Sequence, residues 1–280
     1  MATHSTSGSA PIREAQQAGE EVAESRPFEW LSRAGFVARG VIYGIIGILA
    51  FQLAVGAGGK ATNQQGALKT IAQQPFGKLL LILVAVGLGG YAIWRFVRAG
   101  LGHGPESSDS RFDRVAALAS GVVYAGLCVI AVKVLLNEKA SSSGDPHKVA
   151  AGVFGWPAGV WLVGIAGVTM VGVGLYQGYR GLSKDFLDDS KTEEMKPVER
   201  RWITGLGVFG HLARMVVFCL VGVFLIKAAL DYDASAAIGL DGALAKIVNA
   251  SYGPWLLGIV ACGLIAFALY SVSDARYRRI

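Results

Sequence analysis

Six long stretches of this chain carry almost no charge, and they restrict its fold more than any other feature. The first lies between Arg39 and Lys60, where residues 40–59 hold no charged side chain. At 1.5 Å per residue, such a helix is long enough to cross the roughly 30 Å hydrocarbon layer of a bilayer. Only 16% of all residues are charged, against about 25% in soluble domains. We therefore expect an all-α integral membrane protein with six transmembrane helices.

The six helices belong to three copies of one two-helix unit. The segment 39–44 returns as 120–125 in the second copy and as 214–219 in the third. Three tandem hairpins with the same orientation predict a six-helix bundle with pseudo-three-fold symmetry about the membrane normal. The repeats are predicted at 31–104 (helices 34–56 and 78–99), 111–190 (helices 114–136 and 157–180) and 200–280 (helices 205–229 and 254–273).

The basic residues indicate how the bundle is oriented. Lys and Arg number 17 in the N-terminal segment, the two connections between repeats and the C-terminus, against 8 in the connections within repeats. Because positive residues favour the cytoplasm, both termini are predicted to be cytoplasmic. Residues 1–30 show no apolar period for most of their length, which predicts a disordered cytoplasmic tail.

The outer connections repeat as well. Residues 66–77 and 242–253 are similar, and each predicts a short amphipathic helix on the outer membrane surface. In the middle repeat, residues 141–146 predict a flexible loop in place of that helix. Residues 156–159 nevertheless keep the turn into the fourth transmembrane helix.

Alignment of the odd-numbered helices brings polar residues to two matching levels. The cytoplasmic-side ring is Arg39, Ser120 and Arg214, and the outer-side ring is Gln52, Lys133 and Lys227. The simpler interpretation is that the charged side chains snorkel to the bilayer surface and anchor the helices there. The alternative is a gate or anion-binding ring at the first level and a basic ring around an outer mouth at the second. The serine in the first ring argues against a strict three-fold role for the arginine.

Small residues recur on the predicted helices at spacings of three and four. Such positions let neighbouring backbones approach closely in a membrane. The residues assigned to helix packing are Gly40, Gly44, Gly47, Gly121, Ala125, Gly174, Gly178 and Gly222. Gly174 and Gly178 offer either an internal contact or a contact between two copies of the chain.

The sequence contains no catalytic or metal-binding pattern that we recognise. His211 is the one histidine inside a predicted span and has no second ligand nearby in sequence. Acidic residues between 188 and 194 are interpreted as a solvated linker, and the three cysteines as small core residues. We therefore expect no enzyme activity, no metal and no cofactor. The basic residues form no patch with interleaved aromatics, so no nucleic-acid partner is expected.

Five segments together carry a resemblance to a known family. These segments are 38–43, 74–77, 172–177 with 184–186, 239–244 and 275–280. They are similar to the bacterial membrane family called domain of unknown function 1206, over residues 31–280. The resemblance implies three tandem two-helix units in the bacterial plasma (inner) membrane. It brings no activity and no functional residues.

The leading functional hypothesis is a non-enzymatic structural or accessory membrane protein. It would pack with lipid, with itself as a homo-oligomer, or with a larger membrane complex. The alternative is a small ion or anion channel or a solute permease, with its path along the pseudo-three-fold axis. A membrane enzyme is the third and weakest hypothesis.

Overall fold

The computed structural model describes residues 26–101, 111–136 and 146–278, and within these ranges the protein is almost entirely helical. Its α-helices are α1 (Arg26–Ala54), α2 (Gln64–Ala72), α3 (Gly77–Leu101), α4 (Arg111–Leu135), α5 (Pro146–Phe154), α6 (Gly159–Ser183), α7 (Pro197–Leu230), α8 (Leu240–Val248) and α9 (Gly253–Tyr277). Six of them, α1, α3, α4, α6, α7 and α9, are long and apolar enough to cross a membrane. The all-α fold with six such helices is confirmed.

The largest differences from the sequence prediction are at the starts of two long helices and in the middle repeat. Helix α1 begins at Arg26, inside the stretch predicted as a disordered tail, whose residues 1–25 lie outside the described part. Helix α7 begins at Pro197, where proline suits the first helical position and the side chain of Glu199 accepts a hydrogen bond from the Lys196 backbone N–H. The middle repeat also has a short helix, α5, which begins at Pro146, the last residue of the predicted flexible loop; residues 141–145 of that loop lie outside the described part.

The six long helices follow one another, in chain order, around an incomplete ring. Helix α1 packs against α3, α3 against α4, α6 against α7, α7 against α9, and α9 against α1. Within the described residues, α4 and α6 do not pack along each other, although they are the two long helices of one repeat. The three-repeat ring is therefore open at its middle repeat.

The ring has two distinct ends. We call the end where α1 begins and α9 finishes the termini end, and the end that carries α2, α5 and α8 the short-helix end. Leu68 of α2 and Leu244 of α8 have no exposed surface and belong to the same apolar core as Ile46 and Leu264 of the long helices. The prediction that these short helices lie on the membrane surface was therefore incomplete, because their apolar sides enter the bundle.

Most of the small residues assigned to helix packing lie against another helix of the same chain. A Cβ added to Gly40 would come 2.9 Å from the carbonyl oxygen of Ala268 on α9, which shows how closely α1 and α9 approach. Gly174 and Gly178 face Cys219 and Met215 of α7, so they make internal contacts. The others that lie against a neighbouring helix are Gly44, Gly47, Gly121 and Gly222, while Ala125 is half-buried on α4.

Candidate functional site: a buried arginine cluster

Charged side chains gather inside the bundle near its termini end. Arg39 Nη2 donates a hydrogen bond to Asp274 Oδ2 at 2.9 Å, and Arg278 Nη1 lies 3.6 Å from the same oxygen. Arg278 Nη2 and Arg180 Nη2 donate to Asp189 Oδ2 at 2.6 and 2.7 Å. Three arginines and two aspartates thus form one continuous chain of ion pairs. All except Arg180 are almost fully buried.

Arg39 points into the protein and not toward the bilayer surface. Its Nε donates to Ser271 Oγ at 3.1 Å and its Nη1 donates to the hydroxyl of Tyr91 at 3.0 Å. With Asp274, these groups on α3 and α9 replace the hydration that a buried guanidinium loses. The prediction that Arg39 anchors α1 at the membrane surface was therefore wrong. Tyr91 belongs to the same repeat as Arg39, whereas Ser271 and Asp274 come from the third repeat, which the packing of α1 on α9 brings close.

Arg214 also points inward but has different partners. Its Cζ lies 4.3 Å from the ring centre of Phe267 and 5.3 Å from that of Tyr43. When the Gln177 amide is oriented to satisfy its neighbours, its oxygen accepts from both terminal nitrogens of Arg214 at 2.9 Å. The Nε of Arg214 is buried without a hydrogen-bond partner. Arg214 is therefore half-buried and held between aromatic rings of its own chain.

Ser120, the third member of the predicted ring, is half-buried on α4, which packs against α3. Helix α3 carries Arg95 eighteen residues after its first residue, and the same offset on α6 and α9 gives Gln177 and Ser271. Each interface between repeats therefore has one arginine and one neutral polar residue at matching positions. The pairs are Arg39 with Ser271, Arg214 with Gln177, and Arg95 with Ser120.

Arg95 is the member of this arrangement that the sequence interpretation missed. Its Nη2 donates to the Tyr91 hydroxyl at 2.8 Å, and that hydroxyl also accepts from Arg39. The signal was present in the sequence. When the second long helices of the three repeats, α3, α6 and α9, are aligned from their first glycines, a polar residue falls at the same place in each. Comparing only the first long helices of the repeats, α1, α4 and α7, made Ser120 look like an exception.

The predicted outer-side ring is not assembled. Gln52 and Lys227 are exposed and Lys133 is half-buried. In the described part of the chain, no hydrogen bond or ion pair joins any two of these side chains. The same end of the bundle is filled by the apolar core beneath α2 and α8.

The connection between α6 and α7 closes the termini end. Phe186 is fully buried and stacks on His211, with ring centres 5.1 Å apart and 13° between planes. The backbone N–H of Lys191 donates to the carbonyl of Tyr277 at 2.7 Å, which ties this connection to the end of α9. Asp189 is 4% exposed, so the prediction of a solvated linker was wrong for this residue. Its ion pairs with two arginines explain its burial.

His211, Cys128 and Cys219 pack between helices. Cys262 is exposed, so the prediction of a core position was wrong for this cysteine. His211 Nδ1 lies 2.8 Å from the carbonyl oxygen of Gly207, one turn earlier in α7. The thiols of Cys128 and Cys219 contact backbone carbonyls of neighbouring helices. Across the described ranges, no three His, Cys, Asp or Glu side chains are grouped so that they would hold a metal ion.

An apolar groove of about 600 Å³ lies on the outside of the bundle between α1 and α9. Its lining includes Phe51, Val55, Trp255 and Ile259, which are exposed on the surface of the bundle. Such a groove fits a lipid acyl chain, and its polar side-chain groups are the indole N–H of Trp255 and the exposed thiol of Cys262.

Six apolar helices in an open ring around a buried arginine cluster define a multi-pass α-helical membrane protein. The chain belongs to the family described as Domain of Unknown Function (DUF1206), whose model matches it three times, at residues 34–102, 115–184 and 209–278. This confirms both the resemblance and the three repeats. The uncharacterized protein YxxB of Bacillus subtilis (strain 168) is 31% identical over 261 residues, covering 92% of this chain and 94% of that protein. No solved structure matches the chain.

Proposed function

We propose that this protein is a non-enzymatic structural or accessory membrane protein that associates with a second copy through the open side of its middle repeat. The observation that carries the proposal is the separation of α4 and α6. In their most apolar segments only 17% and 22% of residues are buried, against 56% in α1 and in α9. The ends of the open ring therefore present two long apolar helices, each packed on one side only.

The surfaces of these two helices suit close contact within a membrane. A Cβ added to Gly126 of α4 or to Gly172 of α6 would meet no atom within 4 Å, so neither glycine packs against another helix of the same chain. Val122, Val129 and Val168 are exposed near them. Small residues let helix backbones approach and gain dispersion contacts that lipid does not supply. A second copy is the favoured occupant, because most oligomers are closed two-fold assemblies.

The alternative, a channel or permease along the ring axis, is less favoured. Such a path needs polar groups or water through the centre of the bundle. The core is instead continuous from the termini end to the short-helix end, and it includes Tyr43, Phe267 and Leu264 together with Leu68 of α2 and Leu244 of α8. The outer-side basic residues that would attract anions to a mouth are not brought together.

We place the protein in the bacterial plasma membrane with both termini in the cytoplasm. The excess of Lys and Arg in the connections between repeats supports this orientation. In a cysteine-free background, Ser5→Cys and Ile280→Cys should react with a membrane-impermeant thiol reagent only after the cells are opened. Ser251→Cys at the short-helix end is the control and should react in intact cells. Labelling of residues 5 and 280 from opposite sides would contradict the topology.

Self-association is tested by the oligomeric state in lipid nanodiscs. We expect the wild-type chain to be dimeric by native mass spectrometry, and Gly126→Ile and Gly172→Ile to shift it toward the monomer. Gly205→Ile on α7 is the matched control, because a Cβ at that glycine also meets open space and α7 lies away from the open side. A wild-type monomer, or equal dimer fractions in all three variants, would overturn the proposal. Ion flux in proteoliposomes that stops in Lys133→Gln and Lys227→Gln variants would favour the channel.

A further inference from the structure

The buried cluster has more positive than negative charge. Its carboxylates are those of Asp189 and Asp274, and both are engaged by the ion-pair chain. No carboxylate of the described residues lies within ion-pair distance of Arg214, whose neighbours are aromatic rings and one amide. The four guanidinium groups are those of Arg39 and Arg278, which are buried, and of Arg180 and Arg214, which are half-buried. Surroundings of low polarity disfavour such an excess of charge unless a counter-charge is bound.

Two tyrosine hydroxyls of the same cluster add further donors. The ring of Tyr43 lies against the Arg214 guanidinium, and the ring of Tyr124 packs on Tyr91, with ring centres 4.5 Å apart, beside Arg39. Neither Tyr43 nor Tyr124 hydrogen-bonds through its hydroxyl to any residue that the structure describes. Arg214 itself retains an unpartnered, buried Nε. This part of the cluster therefore offers many N–H and O–H donors and few acceptors.

We infer that the arginine cluster is a binding site for a phosphate-type oxyanion, held mainly by Arg214 with the hydroxyls of Tyr43 and Tyr124. Guanidinium groups pair with phosphate through two parallel hydrogen bonds, and phosphate oxygens accept further bonds from hydroxyl donors. Arg39 lies behind the site, since its guanidinium shares the Phe267 ring with Arg214 at 5.2 and 4.3 Å. Its hydrogen bonds to Ser271, Tyr91 and Asp274 hold it in place.

In a single copy of the chain, the open side of the ring provides a way into this site. Tyr124 on α4 and Gln177 on α6 are both half-buried, and these two helices border the opening. Gln177 and Ser271, which bind Arg214 and Arg39, lie in the last third of α6 and α9, so the cluster is closer to the termini end than to the short-helix end. The anion is either the phosphate of an anionic phospholipid that enters sideways or a free phosphate. This site requires no dimer, so it can be tested apart from self-association.

The first experiment uses inorganic phosphate as the probe and measures thermal unfolding of the purified, detergent-solubilised protein. Phosphate should raise the unfolding temperature above that in chloride at equal ionic strength. In Arg214→Gln the phosphate affinity should fall by about tenfold, the scale of a lost charge-assisted hydrogen bond. Arg201→Gln is the matched control, because Arg201 is exposed on the same helix.

The second experiment uses nanodiscs of phosphatidylcholine with or without phosphatidylglycerol, and measures by native mass spectrometry which lipid stays bound. Retention of phosphatidylglycerol by the wild-type protein and the Arg201→Gln control, but not by Arg214→Gln, assigns the site to a lipid headgroup. A response to phosphate without lipid retention assigns it to a free anion.

A third variant keeps the inference testable if Arg214→Gln does not fold. The double variant Tyr43→Phe, Tyr124→Phe keeps both rings and removes only the two hydroxyls, so it should fold and bind phosphate or lipid several-fold more weakly. Equal unfolding temperatures in phosphate and chloride for the wild-type protein, together with no selective lipid retention, would overturn the inference. So would anion or lipid binding that neither the arginine nor the tyrosine substitutions weaken.

Discussion

Arg39 Nη2 and Asp274 Oδ2 lie 2.9 Å apart, so one buried ion pair joins the first and the last long helices of the chain. The side chains are 8% and 2% exposed. This contact connects the first repeat to the third, opposite the open side of the ring. The same ion pair therefore holds α1 against α9 and forms part of the arginine cluster.

Replacing Asp274 by Asn should destabilise the protein strongly. The substitution leaves Arg39 and Arg278 buried with only Asp189 to balance them, and removing one partner of a buried pair costs about 3–5 kcal/mol. We expect a loss of that size in the free energy of unfolding, measured by denaturant titration in detergent. Ser273→Ala, at the half-buried position next to it, is the control and should change stability by less than about 0.5 kcal/mol.

A double-mutant cycle separates the ion pair from other effects of the same substitution. If the pair acts as described, Arg39→Gln combined with Asp274→Asn should cost less than the sum of the two single changes. Additive losses would show that Arg39 and Asp274 do not stabilise each other.

Gly40 and Gly44 should respond differently to alanine, although both are on α1 and both face α9. A Cβ at Gly40 would lie 2.9 Å from the Ala268 carbonyl oxygen, which is backbone that cannot easily move. A Cβ at Gly44 would lie 3.6 Å from the Ala268 Cβ, an ordinary contact distance. Gly40→Ala should cost about 1–3 kcal/mol of unfolding free energy, as overpacking does. Gly44→Ala should be neutral or stabilising by up to about 1 kcal/mol.

The thermal unfolding temperatures of these two variants provide the measurement. Because the substitutions are identical and one helical turn apart, each variant is the control for the other. An equal effect of both would mean that α1 and α9 do not approach as closely as the structure shows.

The six long helices and their repeats were predictable, whereas the partners of the buried charges were not. Uncharged stretches and recurring segments indicate which residues can cross a membrane, and this prediction requires no knowledge of how the helices pack. A helical period also places Arg39 on one face of α1. It does not say which helix covers that face, and Asp274, 235 residues away, is its partner. Without that neighbour, an arginine near a helix end is reasonably expected to reach for the bilayer surface.

The connection before α7 illustrates the same limit. Its charges and short length are typical of a solvated loop, and several of its residues are indeed exposed. Phe186 differs because it lies in the 3-10 turn Asp185–Leu187 and is fully buried, and Asp189 differs because it pairs with Arg180 and Arg278. The packing of Phe186 on His211, and the pairing of Asp189 with Arg180 and Arg278, depend on the assembled third repeat. Local sequence patterns carry no signal for such a contact.

Phe186→Ala should loosen this connection. The ring is fully buried against His211 and Tyr270, and removing a buried phenylalanine costs about 3–5 kcal/mol. We expect trypsin to cut more rapidly after Lys191, because local opening exposes that bond. Tyr179→Ala, which removes an exposed aromatic ring on α6, is the control and should leave the cleavage rate unchanged. An unchanged rate in Phe186→Ala would show that the aromatic contact does not hold the connection in place.

The turn that precedes the second long helix of each repeat (α3, α6 and α9) is the same in all three repeats. Phe76, Ala158 and Tyr252 have φ values of 61°, 63° and 59°, and each is followed by a glycine that begins the helix. Residues with a Cβ are disfavoured in this left-handed region, whereas glycine adopts it readily. Ala158→Gly should therefore stabilise the protein or leave its stability unchanged, with a gain of up to about 1 kcal/mol.

Ala166→Gly on α6 is the matched control for that substitution. At this exposed position in the interior of a helix, glycine gives the unfolded chain more conformational freedom and relieves no strain. The substitution should therefore cost about 1 kcal/mol of unfolding free energy. Opposite shifts of the two unfolding midpoints would show that the left-handed turn, and not a general effect of glycine, determines the outcome. If Ala158→Gly destabilises the protein as much as Ala166→Gly does, the turn does not have the conformation described. The three repeats would then differ at the turn where the chain reverses direction within each repeat.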